Sequence, residues 1–185
     1  MNVPTILTIL RMILSVAFMV FVLIPAEWSR ITALIIFIVA AITDKVDGHL
    51  ARKNKQVTDI GAFLDPIADK MLVNLAFLAL VYLDIVPIWV FAIILVRDFA
   101  VDGLRMNLAK NGKTLSASFL GKLKTTTQMA ALIILLFNLV LNLAPLTILG
   151  DIALYLALAL TIISGVNYFI KQTKSKPKHR GGKRS

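Results

Sequence analysis

Cysteine is absent from the 185 residues, and histidine occurs only twice, at His49 and His179. Disulfides and thiolate-held zinc are therefore excluded, and two imidazoles give little basis for a zinc site of any other kind. Acidic residues are scarce as well: nine Asp and the single Glu27, against 20 Lys and Arg, for a formal net charge of +10. Charged residues of both signs make up only 16% of the chain. Apolar residues fill the space, at 58% of the sequence and a mean hydropathy of +0.85. That is too apolar for an ordinary soluble domain, and the chain reads as one that lives in a membrane.

A hydrocarbon core of about 30 Å takes roughly 20 helical residues to cross. Six apolar runs approach that length: about Thr5 to Ile24, Ile31 to Thr43, Gly61 to Leu83, Ile85 to Asp102, Phe119 to Leu143 and Leu146 to Ile170. The breaks carry turn chemistry, as in "PAEWSR", "DIVP" and "NLAPL". The expectation is an all-α integral membrane protein with six transmembrane helices in one domain over residues 1–170. No internal repeat is visible, and residues 171–185 form a basic tail expected to be flexible.

Lys and Arg concentrate in cytoplasmic connections, so their distribution orients the chain. The connections after the first, third and fifth runs hold only Arg30. By contrast, Arg52, Lys53 and Lys55 follow the second run, and Arg105, Lys110, Lys113, Lys122 and Lys124 follow the fourth. Both termini and both basic connections are expected on the cytoplasmic side. A signal peptide at the N-terminus is the competing reading. Against it, Arg11 lies well inside the apolar run, no small-x-small site follows Pro25, and cleavage would leave an odd number of spans.

Half of the acidic residues fall in "DKVDGHLARKNKQVTDIGAFLDPIADK", as Asp44, Asp47, Asp59, Asp65 and Asp69. At about 100° per residue, Asp44 and Asp47 lie roughly 60° apart on one helix and Asp65 and Asp69 roughly 40° apart on the next. Two adjoining antiparallel helices can thus gather four carboxylates at one depth beside the cytoplasmic surface. Four such groups repel and are costly to desolvate unless a cation compensates. Hard divalent ions with oxygen ligands fit, two sharing a bridging carboxylate better than one, and Mg²⁺ or Mn²⁺ is favoured over Zn²⁺. Ion pairs with Lys45, Arg52 or Lys70 would explain a single Asp more readily than four at this spacing. Asp59, beside Thr58, reads as a helix start.

Small residues stand among the carboxylates: Gly48, Ala51 and Gly61 either admit a bulky group close to the backbone or pack helices together. Pro66, directly after Asp65, either bends its helix to aim Asp65 and Asp69 or marks a first turn.

The pattern Asp44-x2-Asp47-Gly48-x2-Ala51-Arg52-x8-Gly61-x3-Asp65-x3-Asp69 resembles the signature of the CDP-alcohol phosphotransferases at every fixed position. The resemblance implies a six-helix membrane enzyme of phospholipid synthesis, usually a homodimer, with two divalent cations, Mg²⁺ or Mn²⁺, at the cytoplasmic side. In it, Asp44, Asp47, Asp65 and Asp69 hold the metals, Asp69 is also the general base, and an alcohol hydroxyl displaces CMP from a CDP-linked lipid. Gly48, Ala51, Arg52 and Gly61 match positions around the cytidine and diphosphate.

Outside the motif, "MNVPTILTILR", "LDPIADK", "RDFAVDGLR" and "GKLKTTTQ" look like the branch of that family that joins CDP-diacylglycerol to glycerol 3-phosphate, which implies a bacterial cytoplasmic membrane. Asp98 stands where Glu is more usual in that branch. A dianionic acceptor requires cations, and Arg97, Arg105, Lys122 and Lys124 could form such a pocket at the depth of the metals. The competing reading is topology-setting or snorkelling charge, which suits Lys110 and Lys113 better. Asn2, Thr8 and Arg11 are further candidates for the nucleotide, carried on an amphipathic lead-in at the cytoplasmic face. Trp28 and Trp89 read as interface anchors.

The tail carries seven Lys and Arg from Lys171 to Arg184, suited to anionic membrane lipids; no aromatic pattern or motif speaks for nucleic acid. A divalent-cation transporter is the alternative from another class, but it would place its carboxylates at the bilayer midplane rather than beside a basic turn.

Overall fold

The computed structural model describes residues 3–54, 59–110 and 119–174, excepting the side chains of 3–4, 44–54, 59–63, 65, 69, 109–110 and 171–174. Six helices follow in order: α1 Val3–Leu23, α2 Glu27–Asn54, α3 Asp59–Tyr82, α4 Ile88–Lys110, α5 Phe119–Leu141 and α6 Ala144–Lys174. No strand occurs among the described residues. The all-helical expectation is met, and α3 starts at Asp59 as its position beside Thr58 suggested. Two helices outrun their apolar stretches: α2 continues eleven residues past Thr43, into the aspartate motif, and α4 continues eight past Asp102. Helical hydrogen bonding does not require apolar side chains, so α4 carries Arg105 beyond the point where hydropathy falls.

Among the described residues, three helices are long and apolar enough to cross a membrane: Thr5–Leu23, Phe119–Leu141 and Ala144–Ile170. The other three carry clustered charges, with the aspartate motif on α2 and α3 and Arg97, Asp98, Asp102 and Arg105 on α4. The outer faces are apolar: Ile6, Ile13, Val16 and Val20 of α1 and Ile148, Ile152, Leu156, Ile163 and Val166 of α6 are all exposed. Water would penalise so continuous an apolar surface, whereas lipid accepts it. The chain is a membrane protein.

One apolar cluster draws on all six helices, with Phe18, Phe37, Phe77, Leu80, Val90, Ile94, Leu132, Leu135 and Leu154 among its buried members. Phe18 and Phe37 meet with ring centroids 5.5 Å apart, and Phe77 stacks on Phe91 at 6.1 Å. Contacts are densest between α5 and α6 and between α1 and its neighbours α2 and α3.

Two tight reversals follow α3 and α5. α3 ends in a Schellman arrangement: Asp84 takes φ 56°, Ile85 N–H donates to the Leu80 carbonyl at 2.9 Å and Asp84 N–H to that of Val81 at 3.1 Å. At the end of α5, Asn142 takes φ 49° and its N–H donates to the Asn138 carbonyl at 2.8 Å. The Asn138 side chain accepts from Leu143 N–H and donates to Thr147 Oγ1, both at 2.9 Å, which ties the end of α5 to the start of α6.

Candidate active site

The aspartate motif occupies the C-terminal part of α2 and the first turns of α3. Helical backbone at both pairs gives Asp44 and Asp47 the i, i+3 spacing and Asp65 and Asp69 the i, i+4 spacing that put each pair on one side of its helix. The side chains of Asp44, Asp47, Gly48, Ala51, Arg52, Gly61, Asp65 and Asp69 lie outside the described residues, as does Asn2. Four carboxylates at two helix ends joined by residues 55–58 are a donor set suited to hard divalent cations. Among the described residues no group of three or more His, Cys, Asp or Glu could hold a metal.

Directly beside the motif lies a cavity of about 530 Å³ lined from five helices. Among the described residues, its α2 lining reaches Ile42, two residues before Asp44, and its α3 lining includes Lys70, the residue after Asp69. α4 supplies Arg97, Asp98, Asp102 and Arg105, α5 supplies Lys124, and α6 supplies Tyr168. Of the four cations singled out in the sequence, Arg97, Arg105 and Lys124 come together here. Lys122 does not line the cavity and is exposed on α5. Two positions on a helix are roughly 200° apart, so Lys122 and Lys124 cannot both face inward.

Lys124 is 5% exposed, deep for an ammonium, and is compensated by Asp98, whose oxygens accept from its Nζ at 2.5 and 2.7 Å. Asp98 also accepts from Arg97 Nη1 at 3.1 Å. The rest of the Arg97 guanidinium is fixed by α6: Nη2 donates to Ser164 Oγ at 2.8 Å and Nε to the Thr161 carbonyl at 3.2 Å. Gly165 makes that approach possible, since a Cβ there would sit 3.0 Å from Arg97 Cγ. Arg105 Nη2 donates to the Tyr168 hydroxyl at 2.8 Å, and Lys70 pairs with Asp102 across α3 and α4.

Thr5, Thr8, Arg11 and Ser15 are all buried, in line with Phe18 and Val22 on one stripe of α1. No separate amphipathic lead-in occurs among the described residues: α1 is continuous from Val3, and its polar stripe faces α2 and α3, the helices it packs on. Thr8 and Arg11 are therefore interior groups against the helices that bear the motif, rather than groups lying on the membrane surface.

The sequence reading assigned no role to Asp98, Asp102, Ser164 or Tyr168. Asp98 and Asp102 could have been noticed as carboxylates in an apolar run, where an ionisable group needs a partner. Ser164 and Tyr168 carried no such signal, because their partners are more than sixty residues away.

A family model described as CDP-alcohol phosphatidyltransferase matches residues 1–163. The chain belongs to the CDP-alcohol phosphatidyltransferase family. Among curated members, a Bacillus subtilis protein named CDP-diacylglycerol--glycerol-3-phosphate 3-phosphatidyltransferase is 41% identical over 92% of this chain and 94% of its own length. Proteins of the same name from Sodalis glossinidius and Escherichia coli K12 are 39% and 44% identical, over 91% and 74% of this chain and 93% and 78% of their own lengths. The family match takes in all six helices apart from the end of α6, and so the motif and the lining of the cavity except Tyr168.

Proposed function

We propose that this CDP-alcohol phosphatidyltransferase moves a phosphatidyl group from CDP-diacylglycerol to the hydroxyl of sn-glycerol 3-phosphate, giving phosphatidylglycerophosphate and CMP. The observation that carries the reading is the convergence of Arg97, Arg105 and Lys124 on one cavity beside the aspartate motif. Among the described residues that line it, four cations face two carboxylates, a net charge of +2 that suits a phosphate monoester dianion. A neutral alcohol needs no such set. The names of the relatives agree.

In this reading Asp44, Asp47, Asp65 and Asp69 hold two divalent cations, Mg²⁺ or Mn²⁺. Once bound, those ions would neutralise the diphosphate and make the attacked phosphorus more electrophilic. The acceptor oxygen forms its bond to the phosphorus that carries diacylglycerol, the bond from that phosphorus to the CMP oxygen breaks, and the hydroxyl proton passes to Asp69. Gly48, Ala51, Arg52 and Gly61, with Asn2, Thr8 and Arg11, surround the nucleotide end of the donor. Arg105 and Lys124 receive the acceptor phosphate, with Arg97 beside them.

All six helices cross the cytoplasmic membrane, with the motif, both basic connections and both termini on the cytoplasmic side. The arrangement lets the lipid donor stay in the bilayer while a water-soluble acceptor enters from the cytoplasm. The basic tail rests on anionic lipid, and the chain works as a homodimer.

Purified protein given CDP-diacylglycerol, Mg²⁺ or Mn²⁺ and a panel of acceptors provides the test. CMP release with glycerol 3-phosphate, and not with glycerol, serine, inositol phosphate or phosphatidylglycerol, is expected. Release with a different member of the panel alone would replace the acceptor, and release with none would end the reading.

A further inference from the structure

We propose that Tyr168 is the positioning residue that holds Arg97 and Arg105 together as an anion clamp, and so makes the cavity selective for an acceptor bearing a phosphate monoester. The inference rests on the proposed function and extends it to a residue on a different helix. Arg97 and Arg105 are eight residues apart on α4, which sets their Cα atoms about 12 Å apart along the axis and roughly 80° around it. Nothing in α4 alone brings their charges to one place.

Tyr168 of α6 does so. Its ring centroid lies 5.9 Å from Arg97 Cζ and 5.2 Å from Arg105 Cζ, within the range of cation–π attraction, so one ring serves both guanidinium groups. Its hydroxyl fixes the direction of Arg105 by accepting from Nη2 at 2.8 Å. The residue is 4% exposed, so the ring is held by its own packing and is not displaced readily. One turn back on the same helix, Ser164 accepts from Arg97 Nη2, so α6 orients both arginines from one face.

The two guanidinium groups differ in what they retain for a ligand. Arg97 is committed to Thr161, Ser164 and Asp98. Arg105 is exposed toward the cavity and, among the described residues, uses only Nη2 in a hydrogen bond, leaving the Nη1 and Nε N–H groups as donors for phosphate oxygens. Two cations drawn to one ring repel each other, and an anion between them relieves that repulsion. A neutral acceptor gains nothing from the arrangement, which is why the clamp bears on the choice of substrate.

The test uses the full-length protein purified in detergent, with Tyr168→Phe, which keeps the ring and removes the hydroxyl, and Tyr168→Leu, which removes both. Initial rates are measured against each substrate in turn, and binding of glycerol 3-phosphate is measured by titration calorimetry. The expected result is a KM for glycerol 3-phosphate raised about 5-fold in Tyr168→Phe and about 20-fold or more in Tyr168→Leu, with calorimetric affinities falling in parallel. The KM for CDP-diacylglycerol should stay within about 2-fold in Tyr168→Phe. A glycerol 3-phosphate KM and affinity unchanged in both variants would overturn the role of Tyr168, as would a fall in kcat alone or an equal rise in both KM values. If the unsubstituted protein neither turns over nor binds glycerol 3-phosphate, the proposed function fails and the clamp with it. Binding and turnover that survive in the unsubstituted protein but ignore Tyr168 would sink the clamp only.

Discussion

At the scale of single residues, the cavity is governed by the cost of charge in an apolar helix. Asp98 is the residue through which that cost is met, since it neutralises Lys124 and touches Arg97. Removing one partner of a nearly buried pair leaves the other uncompensated, so Asp98→Asn should destabilise the protein by about 3 kcal/mol. Replacing both, as in Asp98→Asn with Lys124→Met, should recover much of that loss while abolishing use of the acceptor. Thermal unfolding in detergent checks the order, and equal melting of the single and double variants would contradict it. The Asp98→Glu variant should keep the pair and the activity, because the carboxylate is retained. At this scale the sequence was legible where chemistry depends on spacing along one helix. It put each aspartate pair at a helical spacing that the backbone of α2 and α3 keeps, and it named three of the cations around the cavity. It was silent where chemistry depends on which faces of distant helices meet, as with Ser164 and Tyr168, and it could not separate Lys122 from Lys124 without a helix face to refer them to.

Among the helices, α6 has two roles that meet in its glycines. Gly150 lets α6 lie against α5, where a Cβ would come within 2.5 Å of Leu135 Cδ2, and Gly165 lets the Arg97 stem cross α6. Leu135 is 1% exposed and has little room to yield. Gly150→Val should therefore cost about 1–3 kcal/mol through overpacking, and Gly150→Ala should be better tolerated than Gly150→Val. Unfolding midpoints of the two variants in the same detergent provide the comparison. By contrast, Gly165→Ala should change stability little but raise the KM for glycerol 3-phosphate several-fold, as the displaced Arg97 strains the clamp. An unchanged KM would show that Arg97 tolerates the shift. Helix existence was legible from the apolar runs. The C-terminal extent of α4 was not, because hydropathy falls at Asp102 while the helix persists to Lys110. Nor was the inward face of the α1 polar stripe, since Thr8 and Arg11 in an apolar run suit a membrane surface and a helix–helix interface equally well.

At the scale of the whole molecule, the proposed function requires one end of the helical bundle to hold the chemistry and the rest to keep that end at the edge of the membrane. The native chain has no cysteine, so single cysteines report topology without background. In intact cells, Glu27→Cys and Leu143→Cys should react with a membrane-impermeant maleimide, whereas Lys113→Cys and Lys176→Cys should react only after permeabilisation. The reverse pattern would invert the orientation and place the motif on the wrong side for a cytoplasmic acceptor. The central claim is that one phosphorylated alcohol becomes covalently part of the lipid in this protein's hands. Radiolabelled glycerol 3-phosphate, incubated with purified protein, CDP-diacylglycerol and Mg²⁺, measures it most directly. The account predicts label in the extractable lipid in equal amount to the CMP released, lost in Asp69→Asn and reduced in Lys124→Met. CMP release without label in the lipid would contradict it.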